Sequence, residues 1–151
     1  MPMTLSGTTG IVLPTAAAPA FSAFQSSAQT LSGSTLTKIN FQTEEFDTNS
    51  NYDTTNMRFT PTVAGYYQVS GGISLATSIT SVSIQIYKNG TAHKTIFAVN
   101  TSAASGFGSC LVFLNGSSDY IELYGLAVTG QALSTGAAIT YFQAVMVRST
   151  S

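Results

Sequence analysis

A chain of 151 residues, 44 % of them apolar, is about one domain long and able to bury a core without disulfides or metal. Only 7 % of its residues are Asp, Glu, Lys or Arg, against roughly 25 % in an average soluble domain, and the net charge is −1. The five cations (Lys38, Arg58, Lys88, Lys94, Arg148) are scattered and cannot neutralise a row of phosphates, which argues against nucleic acid as a partner.

The single cysteine, Cys110, rules out an internal disulfide framework. No run of about 18 apolar residues is present, so no membrane-inserted helix is expected. A lone monomer with so few charges has little colloidal protection. Much of the surface is therefore expected to be covered by copies of the chain or by a larger assembly.

Residues 1–19 are Thr, Gly, Ala and Pro without useful alternation, and read as an extended N-terminal arm or tether. Residues 20–151 read as one head domain. Ile11–Leu13 and Thr15–Ala20 have some character of a secretory signal. The first charged side chain is Lys38, however, and Pro14 and Pro19 interrupt the apolar stretch, so no cleaved signal is expected.

From there on, apolar residues alternate at period two. In Gly65–Ala76, Tyr67, Val69, Ile73 and Leu75 face one way, and Tyr66, Gln68, Ser70 and Ser74 the other. Ser81–Lys88 sets Val82, Ile84 and Ile86 against Ser83, Gln85 and Tyr87. Asn89-Gly90 supplies the two left-handed residues of a tight hairpin. Further strands are expected over Ala92–Asn100, Phe107–Leu114, Asp119–Val128 and Ala138–Arg148, with Asn115-Gly116-Ser117 as a turn. Many short strands with Gly- and Asn-rich turns predict an all-β sandwich, barrel or jelly roll.

Two of these strands are apolar on both sides. Phe142, Ala144 and Met146 oppose Tyr141, Val145 and Val147; Phe107, Leu111 and Phe113 oppose Cys110, Val112 and Leu114. One side fills a core and the other needs a cover, either a loop of the same chain or another subunit. For a subunit interface the expected side chains are Phe24, Tyr67, Phe107, Phe113, Tyr141 and Val145.

The order of several short motifs resembles the globular head of complement component C1q and the related tumour-necrosis-factor-like jelly rolls. They are Ala20-Phe21-Ser22-Ala23-Phe24, Ile39-Asn40-Phe41, Phe46-Asp47, Asn51-Tyr52-Asp53, Phe59-Thr60-Pro61, Val63-Ala64-Gly65-Tyr66-Tyr67 and Lys88-Asn89-Gly90. The resemblance runs from Ala20 to the C-terminus. It departs at Gly116-Ser117-Ser118-Asp119, where Gly-Asp is usual, and at Ala144, where glycine is common. It implies a jelly-roll β-sandwich that forms a homotrimer. Without a Gly-X-Y stalk before the head, a secreted complement-type protein is not expected. Leu5-Ser6-Gly7-Thr8-Thr9-Gly10-Ile11-Val12-Leu13-Pro14 looks like the short leaders that precede heads in bacteriophage tail-fibre and virion-surface proteins.

Signals for chemistry are sparse. The only histidine, His93, follows a hairpin turn, and no serine has a Gly-x-Ser-x-Gly setting, so nucleophilic catalysis is not expected. Gly106-Phe107-Gly108 lacks the third glycine and the helix of a dinucleotide site. Cys110 reads as a small apolar side chain. Glu44, Glu45, Asp47 and Asp53, with Asn49 and Asn51, are candidates for calcium, which some jelly rolls of this class hold. Their spacing fits no EF-hand, and a solvated loop is the alternative. Tyr66, Tyr87, Tyr120 and Tyr124, on outward-facing positions, suit sugar or partner recognition or simply strand formation.

The function expected from the sequence is therefore assembly and binding, not catalysis, with no cofactor beyond possible calcium. The reading is a trimeric phage tail-fibre or receptor-binding head. Leu5, Ile11, Val12 and Leu13 of its arm would dock it to other virion proteins, and its loops would meet a host surface receptor or glycan. A capsid decoration protein and a bacterial surface adhesin are the alternatives. The expected location is the virion surface, or otherwise outside the cell.

Overall fold

The computed structural model describes residues 4–6, 10–12 and 18–150. Every regular element among them is a strand. In chain order these are β1 (Thr4–Ser6), β2 (Gly10–Val12), β3 (Ala20–Phe24), β4 (Thr30–Leu31), β5 (Thr37–Lys38), β6 (Thr43–Asp47), β7 (Tyr52–Asp53) and β8 (Arg58–Phe59). The longer strands follow: β9 (Gly65–Ile79), β10 (Val82–Lys88), β11 (Thr91–Val99), β12 (Ala103–Leu114), β13 (Ile121–Ala127), β14 (Gln131–Ala132) and β15 (Tyr141–Ser149).

Two antiparallel sheets face each other as the predicted jelly-roll sandwich. One has the order β12-β9-β15-β3-β6; the other runs β11-β10-β13-β8-β7, with β5 also on β13. Two small two-stranded ladders, β14–β4 and β1–β2, are also formed.

The core lies between the sheets and is made of the inward half of each alternating strand. Phe21 is its centre, with Phe59 at 4.4 Å, Tyr52 at 4.8 Å and Phe142 at 5.1 Å between ring centroids. Ile73, Val82, Ile84, Ile86, Ile121 and Leu123 continue it along the sandwich. Each such side chain contributes about 1.5–3 kcal/mol by leaving water. The two core tyrosines find polar partners, as buried phenols must: Tyr52 donates to the Phe41 carbonyl at 3.1 Å and Tyr67 to that of Val63 at 2.6 Å.

The Asn89-Gly90 hairpin is present, with both residues left-handed (φ 52° and 76°) and Lys88 paired with Thr91. Several boundaries differ from expectation. The closing strand starts at Tyr141, not Ala138, because residues 134–140 fold into a turn. Thr140 holds that turn: its Oγ donates to the Ser134 carbonyl at 2.6 Å and accepts from the Ser74 amide at 3.2 Å. A register shift between Met146 and Arg148 interrupts strict alternation after the exposed Val147 and pairs Arg148 with the outward Tyr66. β13 starts at Ile121, because Asp119 serves the preceding loop.

Candidate assembly face and flanking loops

The outward side of the five-stranded sheet is built by register. Phe107, Leu111 and Phe113 project from β12, and Tyr66, Gln68 and Ser70 from β9. Gln143 and Val145 follow on β15, Ala20 and Ser22 on β3, and Phe46 on β6. In the single chain Phe107 is 45 % exposed, Leu111 51 %, Phe113 41 %, Val145 45 % and Phe46 52 %. Large apolar side chains at that exposure, sharing one side of a sheet with almost no charge among them, suit an interaction surface. A groove of about 310 Å³ runs beside them, lined by Ala20, Phe46, Gln68, Ser70, Gln143 and Val145. Charge is held to the margins of this face. Arg148 sits at one end against Tyr66, and Glu45 at the other accepts from Ser22 at 2.7 Å.

Of the side chains expected at an interface, Phe107, Phe113 and Val145 lie exposed on this face. Phe24 and Tyr141 are half-buried on it as cross-strand partners, and Tyr141 stacks with Phe107 at 6.1 Å. Tyr67 does not belong with them. It is fully buried, because odd-numbered positions of β9 point into the core. Its neighbour Tyr66 takes the outward place and packs against Phe113 at 5.6 Å. Leu111 was legible from the same alternation. Phe46 was not, since only its pairing with Ser22 reveals its side.

The glycines of Gly106-Phe107-Gly108 serve packing. A Cβ on Gly106 would meet the Phe97 ring at 2.3 Å, and one on Gly108 the Ile96 carbonyl at 2.1 Å. Their absence lets β11 close over β12. Cys110, between Ser109 and Leu111, is half-buried against the core, and that burial raises its thiol pKa.

The acidic candidates are engaged one by one with their own surroundings. Asp47 accepts from the Tyr52 amide at 2.6 Å and the Asn49 amide at 3.2 Å. Asp53 accepts from Asn56 and Thr55; the Asn56 hydrogen bonds are the main cause holding its pKa low. Glu45 is taken by Ser22, while Glu44 stands exposed on β6. Among the described residues no three His, Cys, Asp or Glu side chains gather to hold a metal ion. His93 is exposed on β11, with partial burial and the charges of Lys94 and Lys88 lowering its pKa. Of the arm residues, Leu5, Ile11 and Val12 lie in the β1–β2 ladder, where Leu5 pairs with Ile11; Leu13 lies outside the described residues.

Lys88-Asn89-Gly90 locks one end of the sandwich. Lys88 Nζ pairs with Asp119 at 2.8 Å. Asn89 Nδ2 donates to the same carboxylate at 2.8 Å, while Asn89 Oδ1 accepts from the Tyr120 amide at 2.9 Å. Asn115 donates its amide to Asp119 at 3.1 Å and caps the turn through Oδ1, which accepts from the amides of Ser117, Ser118 and Asp119. Burial alone would raise the Asp119 pKa; the bonds from Lys88, Asn89 and Asn115 outweigh it and hold the pKa low.

The tyrosines divide between the two sheets. Tyr66 lies on the face just described, whereas Tyr87, Tyr120 and Tyr124 cluster at the other sheet, where Tyr87 and Tyr124 stack at 3.8 Å.

This architecture, with its ordered motifs and bare outer sheet, defines a jelly-roll head domain. The C1q domain family model matches residues 20–135, and the chain belongs to that family. Comparison with curated protein sequences finds no match. Among solved structures, the globular domain of zebrafish complement 1qA protein is similar at a TM-score of 0.63 and 14 % identity, covering 88 % of this chain and 99 % of that one. Murine APRIL is similar at 0.66 and 11 %, covering 86 % and 99 %. Eiger TNF from S. frugiperda is similar at 0.64 and 13 %, covering 89 % and 94 %. These likenesses establish the fold. None of the helices that would be needed to cross a membrane occurs among the described residues.

Proposed function

We propose that this chain is the trimeric head of a virion surface protein, most simply of a tail fibre, and that it attaches the particle to a host surface. The observation that carries the trimer is the exposed Phe107, Leu111, Phe113, Val145 and Phe46 on one sheet of a chain with only 7 % charged residues. Three copies packed around that face would bury it and explain the scarcity of charge. The face is also lopsided in a useful way. Its aromatic ridge lies on β12, at one edge of the sheet, and its groove lies between β15 and β6, toward the other. A ridge on one copy seated against the other side of the next is a head-to-tail contact, the kind that forms a ring when its rotation closes.

The virion setting is supported by the Ser/Thr/Asn/Gly-rich composition and by the resemblance of Leu5–Pro14 to phage leader segments. In this reading the arm docks the head to other virion proteins, with Leu5, Ile11, Val12 and Leu13 as its apolar contacts. Catalysis has no part in it.

Mixing the purified protein with intact host cells and, separately, with capsids stripped of their surface proteins tests the reading. Adsorption to cells is expected. Adsorption to stripped capsids alone would overturn attachment and assign the protein to capsid decoration.

A further inference from the structure

The outward side of the second sheet gathers five side chains around one buried carboxylate. Glu122 lies at the centre. β10 places Tyr87 directly opposite it, and Tyr124 stands two positions along its own strand. On the far side, β5 pairs Lys38 with Tyr124, and the pairing of Ile121 with Phe59 sets Arg58 beside Glu122 in the ladder. Opposed side chains in such a ladder sit about 5 Å apart at Cβ, so these groups form one continuous patch. Tyr120, just before β13, completes it with Arg58 over its ring at 4.8 Å.

The chemistry of the patch is unusual for the outside of a sheet. Glu122 is only 5 % exposed, yet among the described residues its side chain receives one hydrogen bond, from Lys38 Nζ at 2.5 Å. Arg58 spends its planar face on Tyr120, and its Nε is buried without an acceptor. The hydroxyls of Tyr52 and Tyr67 in the core donate to backbone carbonyls. Those of Tyr87, Tyr120 and Tyr124 have no such partner among the described residues. Burial, and then the proximity of Glu122, Tyr87 and Tyr120, raises the Tyr124 pKa, which agrees with a tight cluster.

We propose that this patch is a saccharide-binding surface. A sugar ring presents an apolar C–H side and a rim of hydroxyls that both donate and accept. Tyrosine rings suit the first. The spare oxygen of Glu122 at the floor of the patch, the Lys38 ammonium, the terminal nitrogens of the Arg58 guanidinium and the phenol hydroxyls suit the second, the charged groups through charge-assisted bonds to neutral hydroxyls. Lys38 and Glu122 largely neutralise each other, which favours an uncharged or weakly acidic glycan over a strongly charged peptide. The patch lies on the sheet that the proposed trimer leaves open, so three copies would present three sites and gain by multivalency. The inference deepens the attachment reading by naming the chemistry of the receptor, and rests on that reading for its biological setting.

The test is an array of defined immobilised oligosaccharides probed with the full chain and with Glu122→Gln, Tyr124→Ala, Tyr120→Ala and Arg58→Lys variants. The wild type is expected to bind a subset of glycans. The Glu122 and Tyr124 variants should lose at least tenfold in apparent affinity with native mass unchanged. Should Tyr124→Ala not fold, Tyr120→Ala and Arg58→Lys carry the same test. Binding to no glycan, or binding that all the folded variants retain, would overturn the proposal. Cell adsorption by a protein that binds no glycan would overturn the site while leaving attachment standing. Array binding without cell adsorption would instead uphold the site and sink attachment.

Discussion

Phe107 lies across Gly72 on the outer side of the five-stranded sheet, so close that a Cβ on Gly72 would sit 2.0 Å from its ring. The two residues are cross-strand partners between β12 and β9. The missing side chain lets the ring settle flat and stack toward Tyr141 at 6.1 Å, shaping the aromatic ridge that the proposed trimer would bury.

Gly72→Ala is therefore expected to tilt Phe107 away from the sheet. The ring is half-exposed and can swing outward, so the monomer should lose about 1 kcal/mol or less, a Tm shift of about 2–4 °C. Self-association should fall by tenfold or more. Sedimentation against concentration, with a thermal melt of the same sample, separates the two effects.

Phe113→Glu and Val145→Lys place a charge at the β12 edge and at the middle strand of the assembly face. Burying an unpaired charge at a contact costs about 3 kcal/mol or more, about a hundredfold in association. Each single variant should be monomeric at micromolar concentration and keep its melting cooperativity. The double variant should recover part of the association if Phe113 of one copy meets Val145 of the next. A double variant no tighter than the singles would reject that pairing.

The Lys88–Asp119 lock predicts an acid dependence. Its hydrogen bonds hold the Asp119 pKa below that of the unfolded chain, so the folded state binds fewer protons. The resulting stability is present above the unfolded pKa of about 3.9 and is lost as pH falls through the folded value. Asp119→Asn should cost about 2 kcal/mol near pH 7 and distinctly less near pH 3. Urea melts at the two pH values check this.

Tyr67 predicts the alkaline counterpart. Burial raises its pKa to about 12 from about 10, so the folded state holds its proton longer than the unfolded chain. That contribution is complete below pH about 10 and is lost as pH rises towards 12. Tyr67→Phe should lose about 1 kcal/mol at pH 7 with its bond to Val63. Its stability should then fall less steeply than the wild type's between pH 9 and 11, measured by denaturant titration.

The long strands were legible because alternation is a local property: β9, β10 and β13 each carry their pattern within a single segment. The hairpin was legible for the same reason, since Asn89-Gly90 sets its own backbone. The two-sided character of Phe107–Leu114 also pointed to the exposed face before any register was known. Residues 30–59 were harder. β5 and β8 are two residues long; β5 is defined by its pairing with β13, and β8, though paired locally with β7, joins the sheet through β13, more distant in sequence than any periodicity can report. Tyr67 was misplaced among interface residues although its own alternation puts it inside. The Glu122 patch could not be found from spacing at all, since three separate pairings assemble it.

Native mass spectrometry of the intact protein at micromolar concentration tests the central claim most directly. A single species at three times the chain mass of 15.7 kDa, collapsing to one chain mass for Phe113→Glu, is the predicted result. A wild-type protein that remains at one chain mass would contradict the account.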